Sequence, residues 1–198
     1  MIKLTMIRHG KTAGNLQGRY VGKTDEGILE SEKEKFSAHQ MGFIDRLYTS
    51  PMLRCVETAD ILYPSYKKNI VPEFREIDFG TFEYRTYKEL SGEPAYQEWI
   101  ESGGTTTFPE GESLSSFHAR IRKGMERICT DALTNGYQNI AMVVHGGTIM
   151  SILSRYGIPK KGYYDWQVKN GEGYVIRFTP EAFLAGERDM VVDEHIVL

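Results

Sequence analysis

IAMVVHGGTI, residues 140–149, sets the fold class. A half-exposed strand would alternate apolar and polar side chains, whereas Ile140 to Val144 is apolar at every position. Such a run suits a strand covered on both faces, as in a parallel sheet with helices on either side. His145, Gly146 and Gly147 break the run. Ile149, Ile152, Leu153 and Tyr156 then repeat at helical spacing, with Gly157 as the stop and Pro159 beyond. A buried strand leading straight into a helix is one piece of an α/β unit, and the remaining pieces should lie on either side of it.

Working outward, residues 2–7 (IKLTMI) read as a strand ended by the polar, glycine-containing stretch 8–22. Residues 29–41 form a charged helix with a weak apolar face. Leu47, Tyr48 and Thr49 are a short strand, with Ser50 as cap and Pro51 as first residue of a following helix. Leu53, Val56 and Ile61 give that helix its apolar side. A third strand lies near 69–72, while 75–90 has no clear period and 103–111 (GGTTTFPEG) is a loop. From Ser113, the residues Leu114, Phe117, Ile121, Met125, Ile128 and Ala132 define the clearest amphipathic helix of the chain. Residues 173–178 and 190–198 supply late strands. The expectation is an α/β protein, a three-layer sandwich with a mostly parallel central sheet flanked by helices, in a single domain over residues 1–198.

Composition narrows the partners. The 198 residues carry 24 Lys and Arg against 27 Asp and Glu, a net charge of -3, so neither nucleic acid nor an anionic membrane is an expected partner. Any basic site must be a local cluster. Two cysteines, Cys55 and Cys129, without metal-type spacing point to neither a disulfide framework nor a zinc site. No signal-type segment opens the chain, and no apolar stretch approaches the roughly 18 residues of a membrane span. A cytoplasmic location is expected, with monomer and homodimer both open.

Ligands of open α/β sheets bind at the carboxyl ends of the strands. Three segments put polar groups there: Arg8-His9-Gly10 after the first strand, Ser50-Pro51 with Arg54 after the second, and His145-Gly146-Gly147 after the buried one. Each has a plainer reading alone: a surface tripeptide, a helix arginine paired with Glu57, a hydrogen-bonded turn histidine. Together they present two arginines, two histidines and a helix N-terminus to one place. Guanidinium forks, a protonated histidine and free N–H groups are what a phosphoryl group needs.

These segments, in order along the chain, resemble the histidine phosphatase superfamily, which holds phosphatases and phosphoglycerate mutases. RHGKTAGN matches its R-H-G-x-T-x-x-N, and GRYVGKTD, SPMLRCVETA, REIDFGTFE, PEGESLSSFHARI and VVHGGTI follow in the family's order. The resemblance covers roughly residues 2–157 and implies a phosphoglycerate mutase-like fold. It implies His9 as nucleophile, forming a phosphohistidine, with Arg8, Arg54 and His145 around the phosphoryl group and no metal or other cofactor. Asn15, Gly22 and Gly146 are implied in substrate binding. Glu76 is implied as the proton donor, with Asp78 and Glu83 close enough in sequence to stand in for it. Arg19 is a substrate contact or an exposed loop arginine. Glu112 and Ser113 order a loop and cap a helix, His118 is structural, and Cys55 packs. Tyr84 stands where many members have glycine, Lys11 replaces a frequent acidic residue, and EGILESEKEKF departs from the family's usual helix opening.

A mutase must hold a phosphorylated acid, and known family mutases usually carry a longer basic insertion after the Glu76 segment. Here residues 84–110 offer only Arg85 and Lys88. The expected function is a phosphomonoester hydrolase acting on a small phosphorylated metabolite such as α-ribazole 5′-phosphate or a sugar phosphate. A mutase-type phosphotransferase and a non-catalytic phospholigand-binding module are the alternatives. Phe82, Tyr84, Tyr96, Trp99 and Phe108 either wall an organic leaving group or belong to the core.

Overall fold

A computed structural model describes residues 1–39 and 41–198. The chain runs β1 (Ile2–Arg8), α1 (Ala13–Leu16), α2 (Glu30–Ser37), β2 (Arg46–Thr49), α3 (Leu53–Leu62) and β3 (Lys68–Ile70). Then come α4 (Tyr87–Leu90), α5 (Pro94–Glu101), α6 (Leu114–Asn135), β4 (Asn139–Val144), α7 (Gly146–Tyr156), β5 (Gly157–Ile158), β6 (Glu172–Phe178), α8 (Pro180–Ala185) and β7 (Met190–Val197). Short 3-10 turns occupy Pro72–Phe74, Gly80–Phe82 and Tyr164–Trp166.

The strands form one sheet in the order β3-β2-β4-β1-β6-β7-β5. β3, β2, β4 and β1 pair in parallel, β6 runs antiparallel to both neighbours, and β5 is parallel to β7. The sheet is therefore mostly parallel, as the apolar run of β4 implied. Alternate residues of that run serve two cores. Ile140, Met142 and Val144 pack with Phe117, Ile121 and Ile128 of α6 and Ile149 and Ile152 of α7. Ala141 and Val143 pack with Phe36 of α2 and Ala59 and Leu62 of α3. Each face has its own hydrophobic layer, which is why Ile140–Val144 is apolar throughout, the polar Asn139 standing only at the half-buried start of the strand.

Several boundaries differ from the sequence expectation. The helix expected over 29–41 covers only Glu30–Ser37, and Gln40 lies outside the described residues. α3 begins at Leu53, so Ser50 and Pro51 precede it and Met52 holds the cap position. The expected inward side of α3 is also corrected. Leu53 is 42% exposed, while Arg54, Cys55, Thr58, Ala59 and Leu62 are buried. Burying Arg54 rotates the helix about its axis, because the guanidinium has backbone carbonyls waiting inside. The unassigned stretch 75–90 is largely irregular, held by the Gly80–Phe82 turn and α4, and α5 has no counterpart in the sequence reading.

α6 is capped by Ser113, whose hydroxyl accepts from Ser116 N at 3.1 Å, and ends at Gly136 in the left-handed region, φ 70°. Gly124, in its interior, lies against the Pro72–Phe74 turn: a Cβ there would sit 2.4 Å from the Phe74 ring. Gly→Ala in a helix normally gains about 1 kcal/mol, but overpacking costs about 1–3 kcal/mol. Phe74 is fully buried and cannot yield easily. Gly124→Ala is therefore expected to lower stability in urea unfolding; a gain would show that the Phe74 ring repacks freely.

Candidate active site

Strand register brings the three chemical segments together. Arg8 pairs with Val144 across β1 and β4, and Thr49 with Val143 across β2 and β4. Arg8, Ser50 and His145 thus emerge side by side at the carboxyl edge of the parallel strands. The His9 and His145 rings lie 5.2 Å apart between centroids with planes at 68°.

His9 is almost wholly buried, and its Nδ1 lies 2.7 Å from the Gly10 carbonyl. A carbonyl only accepts, so Nδ1 carries the proton and Nε2 keeps its lone pair. Burial, then the nearby Arg54 and Arg8, hold the His9 pKa well below the ordinary histidine value. The ring is neutral and its free nitrogen unprotonated.

Arg54 is fully buried. Its Nη1 donates to the Thr24 carbonyl at 2.8 Å and its Nη2 to the Gly22 carbonyl at 2.8 Å. Arg8 donates from Nη1 to the Val168 carbonyl at 2.7 Å. The Nε–H of both arginines is buried without a hydrogen-bond partner. Neither arginine has a carboxylate salt-bridge partner among the described residues. One fully buried and one part-buried cation held by neutral carbonyls make a place that favours an anion.

His145 is also fully buried, with Nε2 2.7 Å from Ser50 Oγ. Desolvation and Arg54 keep it well below the ordinary histidine range, so the positive charge expected of a protonated histidine comes instead from the arginines. Ser50, read from the sequence as a helix cap, serves this imidazole. Cys55 Sγ lies 3.6 Å from His145 Nε2; burial pushes its thiol pKa up to about 12, which suits a packing group.

Glu76 reaches the same place from the loop after the Pro72–Phe74 turn. Ile77 N donates to Oε1 at 3.0 Å and Gly147 N donates to Oε2 at 3.3 Å. Gly147 has to be small, since a Cβ there would come within 2.3 Å of Oε1. Desolvation raises the Glu76 pKa despite those hydrogen bonds and the two arginines. Asp78 instead accepts from Gly80 N at 2.9 Å and pairs with Lys23 at 3.2 Å. Glu83 accepts from Gly22 N at 3.0 Å, Thr24 N at 2.9 Å and Thr24 Oγ1 at 2.7 Å. Both tie loops, and neither lines the cavity that Glu76 faces.

That cavity has a volume of about 430 Å³, within the range of small-molecule sites. Arg8, His9, Asn15, Glu76, Gly146 and Gly147 line its head. Tyr20, Phe79, Trp99, Phe108 and Tyr163 are among its other walls. Of the aromatics singled out in the sequence, Trp99 and Phe108 reach the cavity, while Phe82 and Tyr96 are core residues behind them. Gly22, Arg54 and His145 are not among the residues lining this cavity: the Arg54 and His145 side chains lie fully buried behind its head, and the Gly22 carbonyl accepts from Arg54. Arg19 lines the cavity, but Nη1 donates to the Tyr84 carbonyl at 2.6 Å and to Glu89 at 3.3 Å, and Nε donates to Gln17 at 2.7 Å. Tyr84 itself adopts φ 59°, the left-handed backbone that glycine accommodates best. Its hydroxyl donates to Glu26 at 3.0 Å, and Arg19 stacks on its ring at 5.2 Å.

Further from the cavity, Glu112 accepts from Arg120 Nη2 at 2.6 Å, and His118 Nδ1 meets Ser151 Oγ at 2.6 Å, joining α6 to α7. Sequence reading missed Asn170, Tyr163, Met150 and Gln167, all on the cavity wall. Asn170-Gly171 is a turn dipeptide, but nothing local says where that turn lands. No three His, Cys, Asp or Glu side chains converge as a metal-binding group among the described residues, and no helix among them is long and apolar enough to cross a membrane.

Known proteins share both the sequence pattern and the architecture. The family model for the histidine phosphatase superfamily (branch 1) matches residues 4–187. Adenosylcobalamin/alpha-ribazole phosphatase of Escherichia coli (strain K12) is 28% identical over 180 residues, 86% of this chain and 87% of that protein. Phosphoserine phosphatase 1 of Hydrogenobacter thermophilus is 29% identical over 136 residues, covering 65% of this chain and 64% of the relative. The crystal structure of the alpha-ribazole phosphatase from Shigella flexneri superposes with a TM-score of 0.79 at 23% identity, over 97% of this chain and 95% of that one. With the family model spanning nearly its whole length, the chain belongs to branch 1 of the histidine phosphatase superfamily and is an enzyme of that superfamily.

Proposed function

We propose that this enzyme hydrolyses a phosphomonoester in two displacements through His9. The observation that carries the reading is the pairing, in one cavity, of a histidine whose Nδ1–H is held by the Gly10 carbonyl, leaving Nε2 free, and a carboxyl whose pKa burial raises. His9 Nε2 forms a bond to phosphorus as the ester P–O bond breaks, and Glu76 passes its proton to the leaving oxygen. Glu76, now a carboxylate, then takes a proton from water, whose oxygen attacks phosphorus and breaks the P–N bond. Arg8 and Arg54 offset charge on the non-bridging oxygens, while His145 and Asn15 hydrogen-bond to them. A binding module would have no use for this opposed pair of shifts, a histidine pushed down beside a carboxyl pushed up.

Hydrolysis is favoured over the mutase alternative by the state of the remaining cations. A phosphorylated carboxylic acid needs a second positive contact, and among the described lining residues only Arg19 is a lysine or arginine besides Arg8. Arg19 is already occupied by Tyr84, Glu89 and Gln17. Arg85 pairs with Glu93. The aromatic walls suit a flat, uncharged leaving group, so α-ribazole 5′-phosphate, the class of substrate named for the E. coli relative, is the preferred candidate over a sugar phosphate.

The test is hydrolysis of p-nitrophenyl phosphate with a chelator present, followed by α-ribazole 5′-phosphate, fructose 6-phosphate and 3-phosphoglycerate. Turnover is expected to survive the chelator, since side chains supply the positive charge. The kcat/KM for the aromatic ribotide is expected to exceed that for the sugar phosphate by about tenfold, the worth of one aromatic stacking contact. Phosphoglycerate mutase activity without phosphatase activity would overturn the reading.

A further inference from the structure

We propose that Asn170 is a positioning residue that fixes which end of the Asn15 side-chain amide faces the phosphoryl group. The inference rests on the phosphoryl-binding reading of the cavity head. A carboxamide presents an oxygen that accepts and an NH2 that donates, and a phosphate dianion can use only the donor. At Asn15 the choice is made by its neighbours. Oδ1 takes Thr12 N at 3.3 Å, and the Nδ2 of Asn170 donates to the same oxygen at 3.2 Å. Turning the amide over would set its NH2 against two donors, so the oxygen stays engaged and the NH2 remains for the cavity.

The orientation of Asn170 is itself set by a backbone group. Its Nδ2 also donates to the His9 carbonyl at 3.0 Å, which excludes the flipped amide there too. The turn carrying it is pinned to β1: Gly171, at φ 79°, donates its N–H to the Arg8 carbonyl at 3.1 Å, and Glu172 N closes on the Lys169 carbonyl at 3.0 Å. Asn170 therefore joins the backbone of the nucleophile to a phosphoryl ligand some 155 residues away in sequence. Without it, Asn15 Oδ1 keeps one long bond, to Thr12, and the amide is free to rotate.

The experiment measures inorganic phosphate binding by calorimetry, with KM and kcat on p-nitrophenyl phosphate, for the wild type, Asn15→Ala, Asn170→Ala and the double variant. Each single variant is expected to bind phosphate about tenfold more weakly, the scale of one hydrogen bond to a charged group. KM should move more than kcat. The double variant should bind no more weakly than Asn15→Ala, because Asn170 acts through Asn15. Losses that multiply in the double variant, or an Asn170→Ala protein that binds phosphate like wild type, overturn the inference alone. A wild type that neither binds phosphate nor turns over substrate overturns the phosphoryl reading and this inference with it.

Discussion

His9→Ala is expected to reduce p-nitrophenyl phosphate turnover by about 10⁴-fold or more while inorganic phosphate still binds within about fivefold. The asymmetry follows from how the cavity head is built. In the proposed mechanism the phosphate contacts are those of the Arg8 and Arg54 guanidinium groups and the Asn15 amide, none of which hydrogen-bonds to the His9 ring. What the ring supplies is the Nε2 lone pair, exposed because Nδ1–H is committed to the Gly10 carbonyl at 2.7 Å. Burial beside two arginines keeps that lone pair unprotonated through the neutral range. A base-quenched reaction of the wild type should contain phosphate bound to the protein at His9, and the variant none. Turnover retained by a folded His9→Ala protein would remove His9 from the chemistry.

Glu76→Gln should slow hydrolysis unevenly: by about 10³-fold for an alkyl phosphate and about tenfold for p-nitrophenyl phosphate. An alkoxide must be protonated as it leaves, whereas p-nitrophenolate departs without help. The pH profile gives an independent reading. In the proposed mechanism Glu76 is active as the acid, and burial raises its pKa from the ordinary carboxylate value. The alkaline limb of kcat in the wild type, on an alkyl phosphate, should therefore mark its deprotonation, at a pH above that value. The acid limb should lie well below the usual histidine value, where His9 finally takes up a proton. Glutamine at 76 should abolish the alkaline limb and leave the acid one. It also sets an NH2 against either Ile77 N or Gly147 N, so the thermal midpoint is measured alongside. An equal loss on both substrates would assign Glu76 a role other than proton donor.

The parts of the site that were legible in the sequence are those where residue type and strand edge coincide. Arg8 and His9 end one apolar run, His145 ends another, and parallel strands deliver their carboxyl ends to one side. Tyr84 was visible as a departure from glycine, and the left-handed backbone it adopts explains why glycine is usual there. Ser50 was misread because a serine before a proline and an apolar stretch is an ordinary cap. Its hydroxyl is instead spent on His145, and α3 starts beyond it.

By itself, then, the sequence determined the α/β class, the doubly covered β4 and the residue types gathered at its end, because each is written in the local period and in the chemistry of single side chains. The tertiary structure alone decided which face of α3 turns inward, which of three neighbouring acids meets the cavity, and that Asn170 rests on His9. Those outcomes depend on hydrogen-bond partners far apart along the chain. Glu76 meets the N–H of Gly147, Glu83 is consumed by Gly22 and Thr24, and Arg54 finds the carbonyls of Gly22 and Thr24. No local periodicity encodes such pairings; they arise only once the loops have closed over the sheet edge.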